Sequence, residues 1–136
     1  QVGSSAASDV YKRQLIYHTN VMMCVAEEYV LICLDSVHSE DDKNSIISTI
    51  KNTQKEIIEI SEKQCNSFAG NMLQVSNKIN EKFLIMSSSA YNSLEKEQRI
   101  KLLKYNKIIH SDLSLIEKLG GGSARCMIAE NFLQKK

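Results

Sequence analysis

A cysteine follows a run of three glycines late in the sequence, where residues 120–126 read GGGSARC. Because glycine is entropically costly in regular structure, the run predicts a turn that permits positive φ angles and lets another group approach bare backbone. The N–H groups of such a turn can stabilise a thiolate or a developing anion. Cys126 is therefore a candidate nucleophile. The alternative is an inert buried cysteine after a glycine-rich turn, which this stretch taken alone favours.

His18 is the candidate acid and base for this thiol, because an imidazole can take the thiol proton and return it to a leaving amine. The alternative for His18 is a strand histidine that is hydrogen-bonded in the protein core. Asn20 is expected two residues further along the same strand face. An amide both donates and accepts, so Asn20 would suit a neutral ureido group. The alternative for Asn20 is a polar residue at a sheet edge.

Other polar residues near the cysteine are candidate substrate ligands. Arg125 could bind a substrate carboxylate, although an ion pair inside the fold is an equally good interpretation. The backbone of Gly121 and Gly122 is expected to face the ligand across the open turn. Asn71 precedes a predicted strand and is expected to tie a turn together. Glu130 is interpreted as structural.

Composition excludes several classes of function. The 136 residues include 17 basic and 16 acidic side chains, for a net charge of +1. No basic run interleaved with aromatics marks a nucleic-acid surface, and no apolar stretch reaches the ~20 residues of a membrane span. The four cysteines show no CxxC pairing and no metal-ligand spacing with the histidines. They are interpreted as reduced thiols of a cytoplasmic protein, with neither nucleic acid nor membrane as partner.

Residues 1–14 are interpreted separately from the remainder. They resemble the in-frame translation of a transposon-tagging sequencing adaptor and are excluded from fold reasoning. The natural sequence is then expected to begin at Leu15 only because the read begins there. Residues 15–136 are expected to form the carboxyl-terminal part of a single domain, with enough chain for one small core.

Hydrophobic patterning predicts an α/β chain in which one arrangement of elements occurs twice. The first unit has strands at 15–24 and 29–34, a helix capped by Ser39, and a strand at 56–60. The second has strands at 71–76, 82–86 and 107–110, with one helix from Ser87–Ser89 to Tyr105. A short helix at 114–119 with Gly120 as its C′ residue, and a strand from Cys126 to Leu133, complete the prediction. The chain is thus predicted to hold two tandem ββαβ units.

Three segments resemble the amidinotransferase-type proteins of the guanidino-group-modifying (pentein) superfamily. They are YHTNVMMCV at 17–25, FAGNML at 68–73 and IEKLGGGSARCMIAE at 116–130, in the order and spacing of that superfamily. The resemblance extends from Ile16 to Leu133 and is nearest to citrulline-utilisation hydrolases, relatives of arginine deiminase and dimethylarginine dimethylaminohydrolase. It implies an α/β-propeller of five ββαβ modules, of which this chain is expected to carry the last two.

The resemblance also implies a chemistry. Matched to the superfamily motifs, Cys126 is the nucleophile and His18 the general acid and base, with no metal or organic cofactor. Relatives carry an acid at the position of Asn20, where it grips the guanidinium, so this departure favours a ureido or other less charged group. The carboxylates that orient the histidine and bind the rest of the substrate are expected in missing upstream modules.

The implied activity is hydrolysis of a C–N bond in a citrulline- or arginine-like amino acid through a covalent cysteine adduct. One alternative is an amidinotransferase that passes the amidino group to an amine. A second alternative is an α/β module without catalytic activity. The chain on its own is expected to be inactive because two modules cut from a closed ring expose sheet edges and apolar faces. The oligomeric state is left open.

Overall fold

The computed structural model describes residues 8, 9, 14–16 and 18–129. Two short strands, β1 (Ser8–Asp9) and β2 (Gln14–Leu15), pair in antiparallel. The rest of the described chain builds two three-stranded sheets. None of the helices in this part of the chain is long and apolar enough to cross a bilayer.

The first sheet contains β3 (Met23–Val25), β4 (Tyr29–Ile32) and β5 (Glu56–Glu59). Strands β3 and β4 form an antiparallel hairpin, and α1 (Glu40–Asn52) returns the chain so that β5 lies parallel to β4. All four residues of β4 are buried, as its continuous apolar run predicts. The Ser39 side chain caps α1 by accepting from the backbone N–H of Asp42 at 3.2 Å, which confirms the predicted helix start.

The second sheet repeats this topology after the short helix α2 (Glu62–Asn66). Its elements are β6 (Leu73–Ser76), β7 (Lys82–Ser87), α3 (Ser88–Ser93), α4 (Lys96–Tyr105) and β8 (Lys107–Ser111). Strand β7 is central, antiparallel to β6 and parallel to β8. The predicted pair of ββαβ units is therefore confirmed.

The single helix predicted from residues 87–89 to Tyr105 is wrong, because Leu94 interrupts it. Leu94 has an extended backbone and is buried to 2% exposure, so the break places an apolar side chain in the core. The Arg99 guanidinium donates to the Leu94 carbonyl from Nε at 3.0 Å and Nη2 at 2.7 Å. Glu95 then starts α4 with a capping box completed by Gln98.

A network of buried and half-buried polar side chains fixes one sheet against the other. The Asn106 amide donates to the Tyr29 hydroxyl at 2.9 Å and its oxygen accepts from Gln74 at 2.5 Å. The Gln74 oxygen accepts from the backbone N–H of Glu27 at 2.8 Å. Burial raises the pKa of Tyr29, so this hydroxyl stays protonated. Because each of these side chains has a partner, the network orients the two sheets without leaving one of its own buried polar atoms unsatisfied.

Lys82 forms a charged contact between the sheets by pairing with Glu27 at 2.8 Å and with Glu28. Burial would raise the pKa of Glu28, but the hydrogen bond and positive charge of Lys82 outweigh burial and lower it below 4.5. A carboxyl with a depressed folded pKa adds stability above its unfolded pKa, and that stability is lost as pH falls through the folded value.

Lys82→Met is therefore expected to lower the midpoint of thermal unfolding near neutral pH, with a difference from the parent that shrinks below about pH 4. Calorimetry across this range measures the effect. Lys78→Met, at an exposed lysine in the β6–β7 turn, is the matched control. A destabilisation of Lys82→Met that is equal at neutral and acid pH would contradict the prediction.

Candidate active site

The glycine-rich turn follows helix α5 (Ser114–Gly120) and leads directly to Cys126. The left-handed residue that ends the helix is Gly121, with φ +67°, and not Gly120 as predicted. Residues Ala124–Met127 then form a 3₁₀ turn in which the Cys126 N–H donates to the Ser123 carbonyl at 3.1 Å. The strand predicted from Cys126 to Leu133 is therefore wrong over residues 126–129, and its remainder, including Glu130, lies outside the described residues.

One carboxylate holds this turn in place. Glu117 on α5 accepts from the Ser123 hydroxyl at 2.7 Å and from the Ser89 hydroxyl at 2.8 Å. Ser123 is fully buried, and Ser89 belongs to α3. The carboxylate thus ties the start of the Cys126 turn to two helices, so the position of the thiol is set by tertiary contacts.

The segment that carries His18 and Asn20 is also a turn. His18 has an extended backbone, and the Val21 N–H donates to its carbonyl at 3.1 Å to close a 3₁₀ turn over Thr19–Val21. Strand β3 begins only at Met23, so the strand predicted over 15–24 is wrong for most of its length. The expectation that His18 and Asn20 share a strand face is therefore wrong as well.

Gly70 lies directly against the backbone at the end of this turn. A Cβ atom at Gly70 would lie 2.4 Å from the Val21 carbonyl oxygen and 2.8 Å from the Met22 carbonyl carbon. Only glycine allows two backbones to approach so closely. The Gly-Asn pair at 70–71 was the signal in the sequence, but nothing local shows which segment the glycine must face.

The two turns meet at the Cys126 sulfur, which is exposed. The Asn71 amide nitrogen donates to it at 3.2 Å, and the Asn20 amide nitrogen lies 3.9 Å away. The structure therefore brings Asn20 and Cys126 together across 106 positions of sequence. Exposed His18 lies two residues before Asn20, and no hydrogen bond joins its ring to the sulfur in the described structure. Its catalytic role stays a prediction.

The other predicted ligands differ in their relation to the thiol. A Cβ atom at Gly122 would lie 3.1 Å from Cys126 Cβ and 3.2 Å from Sγ, so this glycine packs directly against the Cys126 side chain. Gly121 has no neighbour within 4 Å of such an atom, and its visible role is conformational. Burial raises the pKa of Cys24 to about 11, and the charge of Arg125 opposes that rise. The positive charge of Arg125 therefore lowers the pKa of a core thiol of β3 relative to burial alone, and its binding of substrate stays a prediction.

A cavity of about 210 Å³ lies between β7, β8 and the segment after Cys126. Its lining includes Met127 and Ile128 but not His18, Asn20 or Cys126, so it is separate from the thiol. Among the described residues, no group of three or more His, Cys, Asp or Glu side chains could hold a metal ion.

Gly122→Ala is expected to slow alkylation of Cys126 by iodoacetamide about tenfold, because the new methyl group crowds the sulfur and displaces it. The rate is measured by mass spectrometry of the Cys126 peptide. Gly120→Ala is the matched control, since the nearest atom to its added methyl group is Ile116 Cγ2 at 3.9 Å. Equal rates in the two variants would contradict the described position of Gly122.

Three solved structures with a similar fold are of ArgZ from cyanobacteria. The apo crystal structure of ArgZ, an arginine dihydrolase from the ornithine-ammonia cycle, matches with a TM-score of 0.61 and 22% identity over 81% of this chain and 15% of that chain. The product-bound N-terminal domain of ArgZ matches with a TM-score of 0.58 and 20% identity over 85% of this chain and 41% of that chain. A variant ArgZ N-terminal domain covalently bound to a reaction intermediate matches with a TM-score of 0.58 and 22% identity, over 81% of this chain and 36% of that chain.

The described chain thus has a mixed α/β, pentein-like fold similar to the N-terminal domain of ArgZ, and it spans less than half the length of each of these structures. The sequence profile of the family described as N,N dimethylarginine dimethylhydrolase, eukaryotic, matches residues 3–133. The chain therefore belongs to this family of guanidino-group hydrolases. The predicted membership of the guanidino-group-modifying superfamily is confirmed. No curated protein sequence matches the chain significantly.

Proposed function

We propose that the protein containing this chain hydrolyses a C–N bond of a guanidino or ureido amino acid through a covalent adduct on Cys126. The observation that supports it most is the meeting of the two turns at an exposed Cys126 sulfur, 3.2 Å from the Asn71 amide and 3.9 Å from the Asn20 amide. Family membership supports the substrate class. The ArgZ domain bound covalently to a reaction intermediate supports a covalent route.

In the first half of the reaction, the Cys126 thiolate attacks the central carbon of the guanidino or ureido group and a C–S bond forms. The C–N bond to the leaving nitrogen then breaks, and His18 delivers a proton to the departing amine or ammonia. In the second half, His18 takes a proton from a water molecule as its oxygen attacks the same carbon. The C–S bond breaks, the electron pair returns to sulfur, and the product leaves.

Asn20 bears on the choice of substrate. Its amide is neutral and lies beside the reacting sulfur, so it offers both a donor and an acceptor but no charge to a bound group. A ureido group can satisfy both, whereas a guanidinium would favour a carboxylate at this position. We therefore place citrulline-like compounds ahead of arginine-like ones as substrates. The Arg125 guanidinium and the amides of Gly121 and Gly122 are proposed to bind other parts of the same molecule.

We further propose that the two ββαβ units belong to a ring of five. Their common topology supports this arrangement, as does the 41% of the ArgZ N-terminal domain that the chain covers. Apolar side chains at Ile100, Leu115 and Leu119 are 58%, 69% and 76% exposed, as expected of surfaces that further modules cover. The chain alone is then expected to show no turnover. The interpretation of its thiols as reduced favours a cytoplasmic location.

The test is incubation of the natural protein that contains this chain with citrulline, arginine and N-methylated arginine, each with and without an amine acceptor such as glycine. Hydrolysis releases ammonia or amine at a rate that does not depend on the acceptor. An amidinated acceptor among the products would show that the protein transfers the amidino group and does not hydrolyse the substrate. No product from any of these compounds would leave only the α/β module without catalytic activity.

A further inference from the structure

The Asn71 side chain connects three segments that are remote in sequence. It is 2% exposed, and its amide nitrogen donates both to Cys126 Sγ at 3.2 Å and to the Asn20 carbonyl at 3.0 Å. Its amide oxygen accepts from the Arg125 N–H at 3.0 Å. A primary amide has two N–H donors, and both are used here. One buried side chain thus holds the nucleophile, the residue before it and the Asn20 turn at fixed positions.

The backbone that carries the Asn71 side chain is also held in place. The Asn71 N–H donates to the Phe68 carbonyl at 2.9 Å, and Phe68 has a positive φ of 64° that closes a tight turn. The adjoining Gly70 lies against the backbone of Val21 and Met22. These backbone contacts position the Asn71 side chain so that its N–H faces the sulfur of Cys126, which is an exposed residue.

A purely structural role would not account for the bond to sulfur. The contacts to the Asn20 carbonyl and the Arg125 N–H already join the two turns. Sulfur is a weak acceptor as a thiol, whereas hydrogen bonds to an ionised acceptor are about twice as strong as neutral ones. A fixed donor at 3.2 Å therefore forms its strongest hydrogen bond when the sulfur carries negative charge during the reaction.

We propose that Asn71 is a positioning residue that stabilises the anionic form of the Cys126 sulfur and aims it at the substrate. The inference rests on the proposed function, in which that sulfur is the nucleophile. The same N–H stabilises the sulfur again when the C–S bond breaks and the electron pair returns to it. Asn71 thereby acts at both ends of the covalent cycle without touching the substrate.

The experiment measures alkylation of Cys126 by iodoacetamide as a function of pH in the purified protein. Asn71→Asp keeps the shape of the side chain but replaces the donor with an acceptor. Near neutral pH its alkylation is expected to slow about tenfold, because a hydrogen bond to an ionised group is lost. At high pH, where every thiol ionises, the rates are expected to converge with the parent. Asn92→Asp, at an exposed asparagine of α3, is the control for the added charge.

Asn71→Ser provides a second variant in case the buried carboxylate prevents folding, and circular dichroism reports folding of each. If the ratio of the alkylation rates of a folded variant and the parent does not change with pH, the inference is overturned. Asn71 then has a structural role only. Because alkylation needs no substrate, it tests the role of Asn71 independently of the proposed hydrolytic function. Turnover through Cys126 together with an unchanged pH profile of alkylation would refute only the role of Asn71. A shifted pH profile without turnover of any guanidino or ureido compound would refute only the proposed function.

Discussion

Cys126→Ser is expected to lower kcat of the natural protein by about 10⁴-fold or more on its best guanidino or ureido substrate. A serine hydroxyl is not ionised near neutral pH, and among the described residues the group hydrogen-bonded at 3.2 Å to this position is an amide donor, which cannot take the hydroxyl proton. The loss should be in kcat and not in KM, because the sulfur reacts with the substrate but contributes little to its binding. Steady-state kinetics with quantified ammonia or amine release measures the effect.

Cys24→Ala is the matched control for that experiment. It removes a thiol from β3 that is 1% exposed and has a pKa raised by burial to about 11, so this thiol is both inaccessible and protonated. Loss of stability by about 1 kcal/mol is expected from the smaller side chain, with kcat unchanged in the folded protein. Residual turnover of Cys126→Ser near the parent rate would show that another group carries the reaction.

Gly70→Ala is expected to lower the free energy of unfolding by about 3 kcal/mol or more. The new methyl carbon would lie 2.4 Å from the Val21 carbonyl oxygen and 2.9 Å from Met22 Cα. All of these neighbours are backbone atoms, so no side-chain rotation relieves the overlap. The 3₁₀ turn over Thr19–Val21 must move away, and the Asn20 carbonyl would then lose its bond from Asn71. Denaturant unfolding measures the loss.

Gly120→Ala is the control for this variant as well, because alanine is favourable within a helix and the α5 position is open. It is expected to leave stability unchanged or slightly raised. A Gly70→Ala protein as stable as the parent, with unchanged accessibility of Cys126, would contradict the close approach on which the geometry of the site depends.

The repeated ββαβ topology could be predicted because its signals are local. Strand β4 is a continuous buried run, and Ser39 with the acidic residues after it marks the start of α1. The break at Leu94 could not be predicted, since helical spacing continues through it. What decides the break is the burial of one leucine in the core and the capping of its carbonyl by Arg99. Tertiary contacts override helix propensity at that point.

The candidate site was harder to predict than the fold, because its residues lie on irregular backbone. Apolar patterning favoured strands around His18 and Cys126, yet both lie in or beside 3₁₀ turns. Asn71 contacts these turns across 51 and 55 positions of sequence, and Gly70 lies against the backbone of Val21 and Met22. Asn71 was expected only to order its own turn. No local pattern shows that a buried amide will face a thiol so far along the chain.

The most direct test of the central claim is acid quenching of the natural protein during turnover, followed by mass spectrometry of its cysteine peptides. The account predicts, on the peptide of Cys126 alone, an added mass equal to that of the substrate less its leaving amine or ammonia. That species should be absent from Cys126→Ser and should form more slowly in His18→Ala, which lacks the acid that protonates the leaving nitrogen. Steady turnover with every cysteine unmodified, or with the added mass on Cys33 or Cys65, would contradict the account.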